Sequence, residues 1–237
     1  MNIFNIILYQ PLFNLLVWLY NTASFGDLGV AIILLTLVIK IILFPLAQKS
    51  IHSQRALQKL QPKMEELKVQ YKDNREELSK AMMNLYKQEK INPLSSCLPL
   101  LIQLPILIAV YQVFIHGLKN GSLDMLYPFV QNPGQLNVLA FGFLDLSQKN
   151  VILGVLAAAA QYWQSKMMIS KQVKAQGTAA MMNQQMLYMI PGFTIVLSFT
   201  LPSGLMLYWL ATTVFSIIQQ EIFIKRKEKK EPAATVS

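Results

Sequence analysis

Long apolar segments alternate with segments rich in lysine and arginine, and this alternation constrains the fold of the 237-residue chain more than any other feature. A helix needs about 20 mostly apolar residues to cross the hydrocarbon core of a membrane. Charged residues make up 14% of the chain, whereas a soluble domain carries roughly 25%. The sequence therefore predicts an all-α integral membrane protein, a bundle of five transmembrane helices. The predicted spans are 27–46, 93–116, 151–169, 186–201 and 204–224.

The positions of the basic residues predict the orientation of these spans. Residues 1–39 contain no lysine or arginine, whereas ten lie in 47–92 and five in 225–230. Cytoplasmic segments of membrane proteins carry an excess of Lys and Arg. The N-terminus is therefore predicted to lie outside and the C-terminus in the cytoplasm. The connecting segments follow as an extracytoplasmic loop at 117–150, a cytoplasmic loop at 170–185 and a basic cytoplasmic tail at 225–237.

The N-terminal segment 1–26 is predicted to be an extracytoplasmic, amphipathic helix that lies in the membrane interface. Gln10, Asn14 and Asn21 fall on one helical face, and Trp18 suits the level of the headgroups. A sixth span that starts in the cytoplasm is the alternative. A cleaved signal peptide is disfavoured, because the segment has neither a basic start nor a clear small-residue cleavage site.

The cytoplasmic segment 47–92 is predicted to be a helical hairpin. Its apolar residues recur at spacings of three and four, and Asn74 followed by Glu77 is typical of a helix N-terminus. The charged residues of the hairpin indicate either a solvated face or a docking surface. The basic tail has two interpretations as well, since it can anchor the last helix at an anionic leaflet or contact nucleic-acid phosphate.

Lys40 lies near the middle of the first predicted span. A charge at that depth costs at least about 2.5–3.5 kcal/mol on insertion scales. Lys40 either extends its stem to the cytoplasmic interface or faces a wet groove, and Thr36, one turn away on the same face, favours the groove. The sequence places no Asp or Glu at this depth, so Lys40 can attract an acidic group from outside. Polar residues of other spans can line the same groove, and Gln103, Gln161 and Tyr208 are selected from them as candidate site residues. The others are Gln164, Ser198, Thr200, Thr212, Thr213 and Ser216.

Several classes of enzyme are excluded by the residues that the sequence lacks. It has no phosphate-binding Gly-rich loop, no His-Glu-x-x-His and no Gly-x-Ser-x-Gly motif. One cysteine rules out an internal disulfide framework, and the two histidines have no recognisable ligand spacing. The chain is therefore predicted not to be an enzyme and to use no metal or cofactor.

Five motifs resemble those of the YidC-type membrane protein insertases and follow that family's order. They are QPK at 61–63, NPLSSCLPLLIQLPI at 92–106, FLDLS at 143–147, LPSGLMLYW at 201–209 and IIQQ at 217–220. The resemblance extends over about 9–226. It is closest to the short, five-span form, which lacks the large extracytoplasmic domain of some members.

The resemblance implies that the chain inserts and helps fold other membrane proteins through a hydrophilic groove, alone or with the Sec translocon, without hydrolysing nucleotide. It assigns Lys40 as the residue that attracts acidic residues of an incoming tail, with Thr36 as a polar partner. Tyr208 and Trp209 match the last-span region that contacts substrate. Many members have arginine in place of Lys40. Because a desolvated lysine can lose its charge, the groove must be wet enough to keep Lys40 protonated.

The resemblance also implies a bacterial cell (inner) membrane and a set of partners. These are nascent membrane proteins with short translocated tails, the ribosome, the Sec translocon, the signal recognition particle receptor and the lipid bilayer. The candidate docking residues lie in the hairpin and the tail: Arg55, Lys59, Lys63, Lys225, Arg226 and Lys227. Two other functions stay open, a small-anion transporter with Lys40 as its site and an assembly factor that holds partner helices without translocating anything.

Overall fold

A computed structural model describes residues 3–92, 94–117, 122–168 and 184–230. The chain is mostly helical, at 77%, as the all-α prediction expected. The helices are α1 (Gln10–Thr22), α2 (Leu28–Ile42), α3 (Phe44–Gln70), α4 (Arg75–Gln88), α5 (Leu94–Gln112), α6 (Val151–Met168), α7 (Ile190–Ser198) and α8 (Ser203–Lys230). The shorter elements are π-helical turns at Asn5–Tyr9, Val113–Gly117 and Gln185–Met189, a 3₁₀ turn at Ser122–Met125, and strands β1 (Leu139–Ala140) and β2 (Leu144–Asp145).

In the described part of the chain, no individual helix has both the length and the apolar composition to cross a membrane. A pair of helices meets both requirements together: α2 and the part of α3 up to Leu57. The chain bends by 68° between them. The predicted first span, 27–46, therefore comprises α2 and the first residues of α3. Leu43 separates the two helices. Pro45 follows in the first turn of α3, where its missing N–H cannot continue the hydrogen bonds of α2.

The main core lies between α1, α2, α5 and α8. α2 packs against α1 and α8, while α6 packs against α7 and α8. The largest side chains of this core are fully buried: Phe13, Leu16, Leu28, Ile32, Leu35, Met206 and Tyr208. Close packing of this kind fixes the relative positions of α2, α5 and α8, the three helices that carry the site described below.

The polar face of α1 contacts another part of the chain. The side-chain amides of Gln10 and Asn14 donate to the carbonyl of Met125, at 3.1 and 3.2 Å. Asn14 Oδ1 also accepts from the backbone N–H of Tyr127, at 2.6 Å. Gln10 and Asn14 of the predicted polar face thus bond to the loop after α5, while Trp18, which the sequence assigned to the headgroup level, is exposed. The interfacial position of α1 stays a prediction.

The loop between α5 and α6 also bonds to the start of α2. β1 and β2 form an antiparallel pair in which Leu139 lies opposite Asp145. Asp27 caps α2 through Oδ1, which accepts from Val30 N–H at 2.9 Å, and its Oδ2 accepts from Phe141 N–H at 2.5 Å. One carboxylate therefore ties the hairpin of β1 and β2 to the first turn of α2.

The same loop satisfies the first N–H groups of α8. The backbone N–H of Ser203 donates to the carbonyl of Gln148 at 2.7 Å, and that of Gly204 donates to Leu146 at 3.0 Å. The Ser203 hydroxyl donates to the carbonyl of Asp145 at 2.6 Å. Two motifs that are distant in sequence, FLDLS and LPSGLMLYW, thus dock on each other and leave fewer helix-terminal donors unsatisfied.

Helices α3 and α4 lie in the segment predicted to be a cytoplasmic hairpin. Asn74 Oδ1 accepts from the N–H of Glu77 at 3.2 Å, so the predicted N-cap is confirmed. Lys63 of α3 forms an ion pair with Glu89, just after α4, at 2.6 Å. Most of the predicted loop at 170–185 and the end of the tail after Lys230 lie outside the described residues.

Candidate functional site: a cationic pocket between three helices

A pocket lies between α2, α5 and α8, beside the start of α3, and its volume is about 470 Å³ when the adjoining open solvent is included. Half of its lining residues are polar, although they come from apolar helices. The polar residues are Thr36, Lys40, Gln103, Tyr208 and Thr212, and the apolar ones are Ile39, Leu43, Leu46, Ala47 and Ile102. Such a mixture of walls suits a segment that is itself partly polar and partly apolar.

Lys40 supplies the positive charge of this pocket. Its Nζ donates to Ser216 Oγ of α8 at 2.6 Å. Ion pairs between described side chains lie in the α3–α4 hairpin, at Lys63, Lys68 and Lys80, and none of them includes Lys40. Within the described residues, Lys40 is therefore held by a hydroxyl and has no carboxylate neighbour to neutralise it. A cation in that state can attract an incoming acidic group.

The other polar residues connect the walls of the pocket. Gln103 Nε2 of α5 donates to the Tyr208 hydroxyl of α8 at 3.0 Å. The Thr36 hydroxyl donates to the carbonyl of Ile32 within α2 at 2.7 Å, which satisfies its proton and leaves its oxygen as an acceptor. The pocket therefore combines a cation with neutral groups that can replace part of a polar guest's water contacts.

The structure brings together four of the six residues that the sequence assigned to the groove. Thr36, Lys40, Gln103 and Tyr208 line the pocket, whereas Gln161 and Trp209 do not. Gln161 is buried between α6 and α7, where its Oε1 accepts from the Thr194 hydroxyl at 2.8 Å. Trp209 is partly buried against the main core. Roles for Gln161 and Trp209 in substrate contact stay predictions.

Two further residues of α8, which the sequence analysis named as polar residues able to line the groove but did not select as site residues, belong to the surroundings of the pocket. Thr212 lines the pocket, and Ser216 bonds to Lys40. With Tyr208 they form a series spaced by four residues, which places all three on one face of a helix. That spacing is the signal in the sequence that could have selected these two from the larger set of polar residues.

The candidate docking residues lie outside the pocket. Arg55, Lys59 and Lys63 belong to α3; the Lys59 side chain is exposed, and Lys63 is paired with Glu89. Lys225, Arg226 and Lys227 lie in the last part of α8, which continues to Lys230. No group of three His, Cys, Asp or Glu side chains suited to a metal ion occurs in the described ranges.

The fold and the pocket define a mostly helical protein with an internal cationic site, and comparison with known proteins gives its family. The family model described as 60Kd inner membrane protein matches residues 18–231. The chain therefore belongs to the 60Kd inner membrane protein family, whose members are inner membrane proteins.

Relatives in this family carry the name "Membrane protein insertase YidC". The chain is 35% identical to the one from Fusobacterium nucleatum over 221 residues, which cover 92% of this chain and 98% of that protein. It is 36% identical to those from Francisella philomiragia and Wolinella succinogenes, over 90% and 95% of this chain. It spans 35% and 38% of the length of those two proteins. The resemblance to YidC-type insertases is thus confirmed, and this family of insertases is non-enzymatic, as predicted for the chain.

Proposed function

We propose that this chain is a membrane protein insertase and chaperone that inserts and helps fold other membrane proteins through the pocket between α2, α5 and α8. The observation that carries the proposal is the position of Lys40, which lies in a polar pocket with no carboxylate partner among the described residues. The identity to proteins named as insertases supports the same function.

The proposed mechanism begins when a short hydrophilic tail enters the pocket from the cytoplasm. Lys40 attracts its acidic residues, and Coulomb attraction is stronger there than in bulk water because the surroundings are less polarisable. Thr36, Gln103 and Tyr208 replace part of the water that the tail loses. The apolar helix attached to the tail then moves sideways into lipid. This partitioning, together with the membrane potential acting on the moved charge, drives the insertion, and no covalent bond changes.

The pocket is proposed to lie within a bundle of five spans, with the N-terminus outside and the C-terminus in the cytoplasm. The asymmetric distribution of basic residues supports this orientation. The helices of the bundle include a bent pair, α2 with α3, and apolar helices of 10–17 residues at Leu101–Ile115 and Leu187–Ser198. Short or bent helices are tolerated at membrane depth where neighbouring protein satisfies their backbone groups.

The hairpin and the basic tail are proposed to dock the ribosome and targeting factors, including the receptor of the signal recognition particle. The insertase itself is proposed to work alone or beside the Sec translocon. Arg55, Lys59 and Lys63 on α3 and the basic end of α8 supply positive charge for contacts with phosphate or acidic surfaces. Such contacts weaken as the salt concentration rises.

The test uses the purified protein in liposomes and a single-span substrate with an acidic N-terminal tail. Protease protection of the tail measures insertion for wild type, Lys40→Arg and Lys40→Ala. Wild type and Lys40→Arg are expected to insert it. Lys40→Ala is expected to be slower by about tenfold, since a loss of only about 1.4 kcal/mol in the transition state gives that factor. Insertion of a matched tail with Asn and Gln in place of Asp and Glu should slow much less when Lys40 is replaced by alanine.

Other outcomes would point to other functions. Equal insertion by all three variants would contradict the charged pocket as the mechanism. If folded wild-type protein inserted no more tail than empty liposomes, an assembly factor or a transporter would replace the insertase. A specific flux of a small anion that depends on Lys40 would favour the transporter.

A further inference from the structure

Lys40 lies two residues before the end of α2, so its ammonium could reach two different places. The stem of a lysine is long enough to carry the charge toward a nearby interface, and charged side chains near helix ends commonly extend that way. Ile41 and Ile42, which follow it, are 63% and 67% exposed. The ammonium of Lys40 instead bonds across to α8, at Ser216.

Ser216 is oriented to accept this bond. Its own hydroxyl proton is donated to the carbonyl of Thr212 within α8, at 2.8 Å. A serine that donates to the carbonyl four residues earlier has a fixed side-chain direction, and the oxygen keeps lone pairs for a second partner. That second partner is Lys40 Nζ, at 2.6 Å.

Two other hydroxyl groups near this bond are engaged within their own helices. Thr213 is buried, and its hydroxyl donates to the carbonyl of Trp209 within α8. Thr36, one turn before Lys40 on α2, donates within its own helix to Ile32. Within the described residues, Ser216 is thus the side chain that joins the Lys40 ammonium to the facing helix.

We infer that Ser216 is a positioning residue of the insertase, which holds the Lys40 ammonium inside the pocket and away from the cytoplasmic interface. This inference rests on the proposed function, because it assigns Ser216 a role in the attraction of an acidic tail. The bond uses one of the three ammonium protons, so the other two stay available to a carboxylate of the substrate. A carboxylate in place of Ser216 would hold Lys40 more strongly but would compete with that substrate.

Two measurements on one set of proteoliposomes test the inference. The first is insertion of the acidic-tailed substrate and of its neutral-tailed match. The second is the rate at which a membrane-impermeant amine reagent, added on the cytoplasmic side, modifies Lys40, read by mass spectrometry of the peptides. The variants are Ser216→Ala, Ser216→Thr, Lys40→Ala and the double variant, and Thr213→Ala is the matched control.

Ser216→Ala is expected to insert the acidic tail about three- to tenfold more slowly and to raise the modification rate of Lys40 by a similar factor, because hydrogen bonds to charged groups are among the stronger ones. The neutral tail should change little. Ser216→Thr keeps a hydroxyl and should restore both readouts, and Thr213→Ala should resemble wild type. In the Lys40→Ala background, Ser216→Ala should have no further effect on insertion.

The inference is overturned if Ser216→Ala leaves Lys40 modification at the wild-type rate, or if it slows both tails equally while Ser216→Thr does not rescue. The two readouts also separate this inference from the proposed function. Failure of wild type to insert any tail would remove the function, whereas Lys40 modification would still report whether Ser216 holds the ammonium in place.

Discussion

In the proposed five-span bundle, Lys40 carries its charge at a depth where insertion scales assign a penalty of about 2.5–3.5 kcal/mol. A hydrogen bond to a charged group contributes about 1.5–3 kcal/mol, so the single bond to Ser216 is comparable in size to that penalty. A carboxylate partner would stabilise the lysine more strongly but would cancel the charge. A hydroxyl partner therefore stabilises the lysine and leaves its charge free for the proposed attraction of acidic substrates.

Asp145, which lies outside the pocket, gives a prediction about how the stability of the fold depends on pH. The hydroxyl and the backbone N–H of Ser147 both donate to this carboxyl, at 2.6 and 2.9 Å, and hold its pKa below the usual value. Because the pKa of Asp145 is lower in the folded state, its carboxylate stabilises the fold at pH values above the unfolded pKa, about 3.9 for Asp. This stabilisation is lost as the pH falls through the folded pKa. Asp145→Asn should therefore flatten the acid side of the profile of unfolding temperature against pH.

The measurement is thermal unfolding in detergent between pH 3 and pH 7, with Asp124→Asn as the control, since Asp124 is an exposed acid of the same loop. Asp124→Asn should keep the wild-type slope. An Asp145→Asn profile that falls as steeply as wild type at low pH would mean that the bonds to Ser147 contribute nothing to folding.

Four residues of the pocket could be identified from the sequence because a polar side chain is rare and unfavourable in an apolar segment. Lys40, Thr36, Gln103 and Tyr208 stood out in this way and converge in the structure. Gln161 stood out equally but bonds to Thr194 between α6 and α7. Composition tells which residues need a polar neighbour, whereas only packing decides which neighbour each one finds.

At the level of the elements, the sequence predicted single helices for the spans 27–46 and 186–201, where the structure has the bent pair of α2 and α3 and the nine-residue α7 after a π-helical turn. α2 ends at Ile42 and α7 begins at Ile190, and a proline follows each of these boundaries closely, at Pro45 and Pro191. Apolar composition alone cannot distinguish a straight span from two helices that meet at an angle. The N-cap at Asn74 was predictable because its signal is local and the side chain bonds only three residues away.

Gly204 gives a prediction about how α8 packs against the end of α5. A Cβ at this position would overlap the ring of Phe114, and the Gly204 N–H already bonds to Leu146 of the neighbouring loop. Gly204→Ala is expected to lower the free energy of unfolding by about 1–3 kcal/mol, as overpacking of a filled core commonly does. The check is the thermal unfolding midpoint of each variant in the same detergent.

Gly192 on α7 provides a matched control, because a Cβ there would meet no atom within 4 Å. Gly192→Ala should be neutral or slightly stabilising, since alanine is the better helix former. Equal effects of the two substitutions would show that the contact with Phe114 does not limit the packing.

At the scale of the whole molecule, the two ends of α2 differ. The loop between α5 and α6 lies at the start of α2, where it bonds to Asp27, and it also bonds to Asn14 of α1 and Ser203 of α8. The pocket itself is lined by the second half of α2 and by Leu46 and Ala47 of α3, next to the α3–α4 hairpin. This asymmetry supports the proposed entry of a tail from the hairpin side.

The central claim is that an acidic tail meets Lys40 inside the pocket, and zero-length crosslinking tests it most directly. A carbodiimide joins a carboxylate to an amine only when the two groups are in contact. Wild-type protein in liposomes, engaged with an acidic-tailed substrate, should form an amide between a tail Asp or Glu and Lys40. Lys40→Arg should lose this crosslink while it still inserts the tail. Insertion at the normal rate with crosslinks only to exposed lysines such as Lys59, and none to Lys40, would contradict the account.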